Sequence, residues 1–285
     1  MTRPLLGWLG SKRGLAPVID EIAGPAPRAF HDAFGGSAAV TLHRRAARPD
    51  EQLVLVDLDR DLVRLHREVA QQPDAVCAEL GAYREGGWDE GRFLELRDER
   101  INGARVRPAS DLIAYNKTAF NGLWRKNRDN RFNVGWNKAA RPAIPTDEHV
   151  HEVSALLRDV DIEHGSAFEV LGRLGSGDVA YLDPGYGAFT AYGTGRSFHF
   201  ADFLRLVEAA EAAAARGARI VLSYSDDPEP DDGVLLPAGG GVRRALRRWD
   251  VRHLEVRESV SCDGSGRSRP RREVLAAIGP RSDDP

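Results

Sequence analysis

EQLVLVDLDRDLVRLHREVA (residues 51–70) decides the fold. Its first half, EQLVLVDLD (51–59), carries a continuous apolar run, as expected of a strand buried on both faces of a parallel sheet. In the second half, DLVRLHREVA (61–70), the apolar residues recur at helical spacing. A buried strand feeding a helix is the repeating unit of a mainly parallel sheet with helices on both faces. Asp57 stands at the end of the strand, and Asp59 is placed to cap the helix.

The same alternation continues on both sides. RAFHDAF (28–34) reads as a strand stopped by Gly35-Gly36, and SAAVTLHRRAA (37–47) as a helix with Ser37 near its start. Residues 74–105 read as mostly helical, and EVSALLRDV (152–160) as a helix. VAYL (179–182) reads as a strand, FADFLRLVEAAEAAAARG (200–217) as a helix ending at Gly217, and ARIVLSY (218–224) as a strand. VRHLEVRESV and RREVLAAIG predict two final strands joined by a hairpin loop, before a disordered tail at 280–285. In such sheets ligands bind beyond the carboxyl ends of the strands, near the point where strand order reverses. Three tips therefore matter: Phe34-Gly35-Gly36, Asp57 and Asp183.

With 42% hydrophobic and 29% charged residues, the 285-residue chain has the composition of a soluble globular protein. No apolar run approaches the roughly 18 residues that span a bilayer. The N-terminal segment shows no export signal. Cys77 and Cys262, the only two cysteines, read as reduced thiols of a cytoplasmic protein, not as a disulfide framework or a metal site.

DAFGGSAAV (32–40) is a place where backbone can approach a ligand closely, although a glycine turn without a ligand reads the same way. Asp57, about 20 residues beyond that turn, suits the hydroxyls of a ribose. At LDPGY (182–186) a carboxylate, a fixed-φ carbonyl and a phenol end a strand. Asp183 and the Pro184 carbonyl can accept the two N–H bonds of an exocyclic amine, and the Tyr186 ring can stack on a base drawn out of its duplex. In GWLGSKRG (7–14), Trp8 and Lys12 stand four apart between glycines; alone they read more readily as a core indole beside a surface lysine.

Residues 111–141 hold seven Lys or Arg against two Asp, in a chain of net charge −3. Asn residues and the aromatics Phe120, Trp124, Phe132 and Trp136 are interleaved, which favours nucleic-acid contact over a solvated loop. The expected DNA-binding residues are Asn116, Asn121, Arg125, Lys126, Asn127, Arg128, Arg131 and Asn133. A second run of arginines over 243–272 adds phosphate contacts or only solvates edge strands.

WLGSKRGLAPVI, DAFGGSAAV, LVDLDRDLV, YNKTAFNGLWRKNRDNRFNV and YLDPGY occur in the order seen in Dam-like DNA adenine-N6 methyltransferases, the D12 class, which the chain resembles from residue 5 to about 278. The resemblance implies a Rossmann-like class I methyltransferase fold. Its mostly parallel seven-stranded sheet would be formed by residues 1–74 and 151–279, with a small, mainly helical target-recognition domain inserted at 75–150. It implies S-adenosylmethionine as cofactor, held by Trp8, Lys12, Phe34, Gly36, Asp57 and Asp183, with Asp183, Pro184 and Tyr186 as the catalytic set. The partner would be double-stranded DNA, with a cognate restriction endonuclease as a possible companion and no metal or membrane involved. The chain departs from the family pattern in three places: Gly185 replaces a proline, Ala38 a glycine, and Ser166-Ala167 an acid. Two alternatives follow: a DNA-binding protein that has lost catalysis on the same scaffold, or a transferase moving another group of the same cofactor, such as its aminocarboxypropyl arm.

Overall fold

The computed structural model describes residues 2–185, 198–225, 240–257 and 270–281. In chain order these form α1 (Ala16–Ala23), β1 (Ala29–Asp32), α2 (Ala39–Ala47), β2 (Leu53–Asp57), α3 (Arg60–Gln71), α4 (Pro73–Arg84), α5 (Glu90–Leu94), α6 (Ala109–Thr118) and α7 (Asp147–Leu157). They continue through β3 (Val160–His164), α8 (Ala167–Arg173), β4 (Asp178–Leu182), α9 (Phe200–Ala215), β5 (Arg219–Ser225), α10 (Gly240–Ala245), β6 (Asp250–Arg257) and β7 (Pro270–Ile278).

One seven-stranded sheet runs in the order β3-β2-β1-β4-β5-β7-β6. The pairs from β3 through β5 are parallel, and β7 runs antiparallel to both β5 and β6. This is the expected Rossmann-like methyltransferase sheet, with one strand reversed. Successive strand residues point into opposite cores, as a period of two requires. Phe30, Leu53, Leu55, Val179, Tyr181 and Val221 enter one core, and Ala29, Val54, Val56, Ala180, Ile220 and Leu222 the other. The first core continues without a break into α4 and α6, through Val76, Leu80, Leu112 and Tyr115.

The expected helix over 152–160 ends at Leu157, and Val160–His164 is a strand that the periodicity does not announce. It is an edge strand, so Asp161 and His164 face solvent and interrupt the apolar run. Arg67 of α3 donates from Nε at 2.8 Å to the Ile162 carbonyl and so ties this edge to the helix layer.

Arg44 of α2 is fully buried. Its guanidinium donates to Glu51 at 2.5 and 2.7 Å, to Asp20 at 2.8 Å and to the Gly24 carbonyl at 2.7 Å, and it lies 4.1 Å over the Phe30 ring. These bonds fix the helix that follows the glycine turn against α1 and the start of β2.

Candidate functional site

The strand order reverses between β1 and β4, so the crevice expected of such sheets opens beyond Asp32, Asp57 and Asp183. After β1 the chain turns sharply. Gly35 N–H donates to the Val56 carbonyl at 2.9 Å, Gly36 has φ +48° and Ala38 φ +64°. A Cβ on Gly36 would lie 3.0 Å from the Trp8 indole. The left-handed backbone and this close approach both require glycine there. Trp8 thus seats on the glycine turn, with its ring centroid 6.2 Å from that of Trp124. Phe34 is half-buried and meets Phe198 edge to face.

Asp57 accepts from the Gly36 N–H at 2.9 Å and the Asp59 N–H at 2.7 Å, one on each oxygen. Burial pushes its carboxyl up to about 6, against the pull of those two N–H groups. Asp59 caps α3, as expected, accepting from Asp61 N–H at 3.0 Å.

Asp183 lies just beyond β4. Lys12 Nζ is 2.9 Å from its Oδ1, and the Ser223 hydroxyl donates to the same oxygen at 2.7 Å. Ser223 has one hydrogen, so the Tyr181 hydroxyl, 2.8 Å away, donates to Ser223 in turn. Lys12 also donates to the Gly10 carbonyl at 3.1 Å and stands 3.8 Å from Glu273 of β7. Its buried ammonium overturns the picture of a surface lysine. Pro184 and Gly185 are buried, and Tyr186 lies outside the described residues.

Sequence reading missed Asp32, Ser223, Tyr181 and Glu273. Asp32 is 2% exposed; Thr41 donates to its Oδ2 at 2.8 Å, and its buried Oδ1 has no partner among the described residues. Burial first, then repulsion from Asp183 and Asp57, pushes it up to about 7. Its one sequence signal is an acid beside His31 within the run RAFHDAF.

These residues fit S-adenosylmethionine. Its sulfonium and ammonium are cationic, and the strand tips offer the carboxylates Asp32, Asp57 and Asp183, with Lys12 paired to Asp183 and Glu273. The orphaned Asp32 oxygen lacks a donor of the kind an ammonium supplies.

Residues 118–137 form a short ribbon, with antiparallel bridges Ala119↔Trp136 and Lys126↔Phe132. Its side chains alternate. Trp124, Lys126, Phe132 and Val134 are buried, whereas Arg125, Arg131 and Asn133 are exposed, as is Arg128 in the turn. Arg125 donates to Asn133 Oδ1 at 2.9 Å on the outer face. Asn127 Oδ1 accepts from Asp129 and Arg131 N–H groups at 3.0 and 2.9 Å and closes the turn. Asn121 holds a left-handed position in the turn near the start of the ribbon, with φ +53°.

Two residues expected at DNA are instead drawn inward. Lys126 is 3% exposed and paired to Asp59 and Asp61, so its charge is spent inside the fold. Asn116 is fully buried and holds the N-terminal segment, accepting from Gly7 N–H at 2.6 Å and donating to the Gly122 carbonyl at 2.7 Å. Trp124 and Phe132 are core residues, which leaves Phe120, 42% exposed, as the outward aromatic of the block. Ser166 closes a capping box with Glu169 at the start of α8, so the substitution noted there serves the helix.

No helix among the described residues is long and apolar enough to cross a membrane. A family model described as D12 class N6 adenine-specific DNA methyltransferase matches residues 8–232. The type II methyltransferase M1.LlaDCHI of Lactococcus lactis subsp. cremoris is 26% identical over 239 residues, covering 79% of this chain and 82% of that protein. The DNA adenine methylase of Escherichia coli strain K12 is 25% identical over 301 residues, covering 98% and 96%. A solved SAM-dependent methyltransferase from Anabaena variabilis aligns with a TM-score of 0.41 at 8% identity, over 98% of this chain and 88% of that one. Matched over most of its length by that family model, and carrying its motifs at the tips of β1, β2 and β4, the chain belongs to the D12 class of N6 adenine-specific DNA methyltransferases, enzymes that use S-adenosylmethionine.

Proposed function

We propose that Asp183 and the Pro184 carbonyl hold the amino group of a flipped adenine, with Tyr186 against the base, while Trp8, Lys12, Phe34, Gly36, Asp57 and Asp32 hold the cofactor. The observation that carries this reading is the anchoring of Asp183 Oδ1 by Lys12 and Ser223, at the sheet edge that also carries Gly36 and Asp57. S-adenosylmethionine supplies an electrophilic methyl group on a sulfonium. The N6 lone pair of adenine is delocalised into the ring. Two acceptors on its N–H bonds return density to nitrogen and orient it, which converts binding into proximity. After transfer, N6 sheds a proton, and the Asp183 carboxylate is its acceptor. Lys12, held by Gly10 and flanked by Glu273, fixes Asp183 before the base arrives.

The ribbon would carry DNA through Arg125, Arg128, Arg131 and Asn133, with residues 75–150 as the target-recognition unit. Arg125→Ala and Arg131→Ala should each weaken duplex binding about three- to tenfold and reduce the slope of log K against log salt by about 0.9, the loss of one phosphate contact. Salt-dependent anisotropy checks this; unchanged slopes in both variants remove the ribbon from the interface. Relatives named type II methyltransferases favour a cognate restriction endonuclease as companion, and the family favours a cytoplasmic location.

Asp32 carries a pH prediction. Its native value of about 7 exceeds the unfolded value, so the native state keeps a proton that the unfolded chain loses. Its own contribution to stability without cofactor is therefore fully present below the ordinary value of 3.8 and is lost as pH rises through about 7. Asp32→Asn removes that slope. The buried amide returns part of the gain, leaving on the order of 2 kcal/mol at pH 8. Melting curves should show the variant more stable there, and calorimetry should show S-adenosylmethionine bound at least about tenfold more weakly. A less stable variant at pH 8 contradicts the assignment.

Calorimetry with S-adenosylmethionine, followed by transfer of labelled methyl to duplex DNA, tests the whole reading. Binding without transfer would favour a scaffold that has lost catalysis.

A further inference from the structure

The inward face of the ribbon ends on the loop that follows β2. Lys126 Nζ lies 2.7 and 2.9 Å from the two oxygens of Asp59 and 2.6 Å from Asp61 Oδ2. Trp124 Nε1 donates to Asp59 Oδ2 at 2.7 Å. Arg107 completes the cluster: Nη1 reaches Asp61 Oδ2 at 2.5 Å, and Nη2 reaches the Asn130 carbonyl in the ribbon turn at 2.7 Å. Two cations thus face two carboxylates, all buried, so removal of one cation leaves an uncompensated charge. Two residues before Asp59 stands Asp57, which accepts the Asp59 N–H at 2.7 Å. The loop Asp57-Leu58-Asp59 is therefore held at one end by the glycine turn and at the other by the ribbon.

We propose that Lys126 is a positioning residue for the cofactor site: from inside the DNA-facing ribbon it clamps Asp59 and Asp61, and through that loop it fixes and electrostatically supports the Asp57 carboxylate. This deepens the reading above and rests on the assignment of Asp57 to the cofactor ribose. The inner face of the ribbon then serves the cofactor while its outer face serves DNA.

The charged groups around Asp57 give the test its readout. Asp59 on the same loop pushes the Asp57 carboxyl up, and Lys126 from the ribbon pulls it down. Asp32 and Asp183 stand at the neighbouring tips, and His66 of α3, kept neutral by burial, bonds the Gly36 carbonyl at 2.8 Å. Removal of Lys126 or Asp59 leaves those three in place, and Asp61, which Lys126 also holds low, keeps Arg107 as its cation in Lys126→Met.

Titration of S-adenosylhomocysteine into wild type, Lys126→Met and Asp59→Asn at pH 5.5 and 8 decides the matter. Loss of a nearby cation should lift the midpoint of the Asp57 carboxyl above its value of about 6, and loss of the carboxylate should lower it. Relative to wild type at pH 5.5, Lys126→Met should then bind roughly several-fold more weakly and Asp59→Asn roughly a few-fold more tightly, and the loss in Lys126→Met should be smaller at pH 8, where only the positional part remains. Asparagine still caps a helix and still accepts from Trp124, so Asp59→Asn decides the question if Lys126→Met fails to fold. A loss in Lys126→Met that is equal at both pH values, or no tightening in Asp59→Asn, overturns the proposal. Failure of wild type to bind S-adenosylhomocysteine overturns the cofactor assignment itself.

Discussion

Asp183→Ala should lower methyl transfer to DNA by a factor of at least about 10³. The substitution removes one of two acceptors that orient the amine and also removes the group that takes its proton. The fold should survive, because the Asp183 side chain is 21% exposed and Lys12 keeps the Gly10 carbonyl and Glu273 as partners. Asp183→Asn preserves shape and one acceptor oxygen but cannot take the proton, so its rate should fall between alanine and wild type. The check is single-turnover transfer of labelled methyl, with melting temperature as the control for folding. Retained turnover in Asp183→Ala at an unchanged melting temperature removes Asp183 from the chemistry.

Arg44→Ala should cost about 3–5 kcal/mol of stability, the expected penalty for leaving buried carboxylates without their cation. Asp20 keeps Arg48, 3.0 Å away, but Glu51 loses both of its bonds to Arg44, at 2.5 and 2.7 Å. The consequence reaches the cofactor, since Arg44 fixes the helix that begins at the glycine turn. Arg44→Met, which fills the space without the charge, should recover little of the loss. Urea denaturation measures it; a change below about 1 kcal/mol would mean that the network contributes geometry and not stability.

The strand-helix alternation was legible wherever the sheet is covered on both faces. LVLVD is apolar because α-helices pack on each side of it, and Asp59 announces the helix that follows by capping it. The strand at Val160–His164 was not legible. As the edge of the sheet it mixes Asp161, Glu163 and His164 with two apolar residues, directly after a helix. The tips bearing Gly36, Asp57 and Asp183 were legible because function there breaks local rules, with glycine and acid ending apolar runs. Asp32 breaks the same rule inside a strand, where an acid reads as a packing irregularity until its neighbours are known. Lys126 and Asn116 stand in a basic, Asn-rich block, and composition assigned them to DNA. Their partners Asp59, Asp61 and Gly7 are remote in sequence, so only the folded chain reveals that they are structural. The alternation of buried and exposed residues along the ribbon makes the same distinction for Arg125, Arg131 and Asn133, which remain outward.

Nucleoside mass spectrometry on DNA from a host that lacks adenine methylation, expressing either this chain or its Asp183→Ala variant, puts the chemistry to the most direct test. The geometry predicts N6-methyldeoxyadenosine with the wild-type chain and none with the variant. Unmodified adenine with the folded wild-type protein, or an adduct heavier than a methyl group, would contradict it.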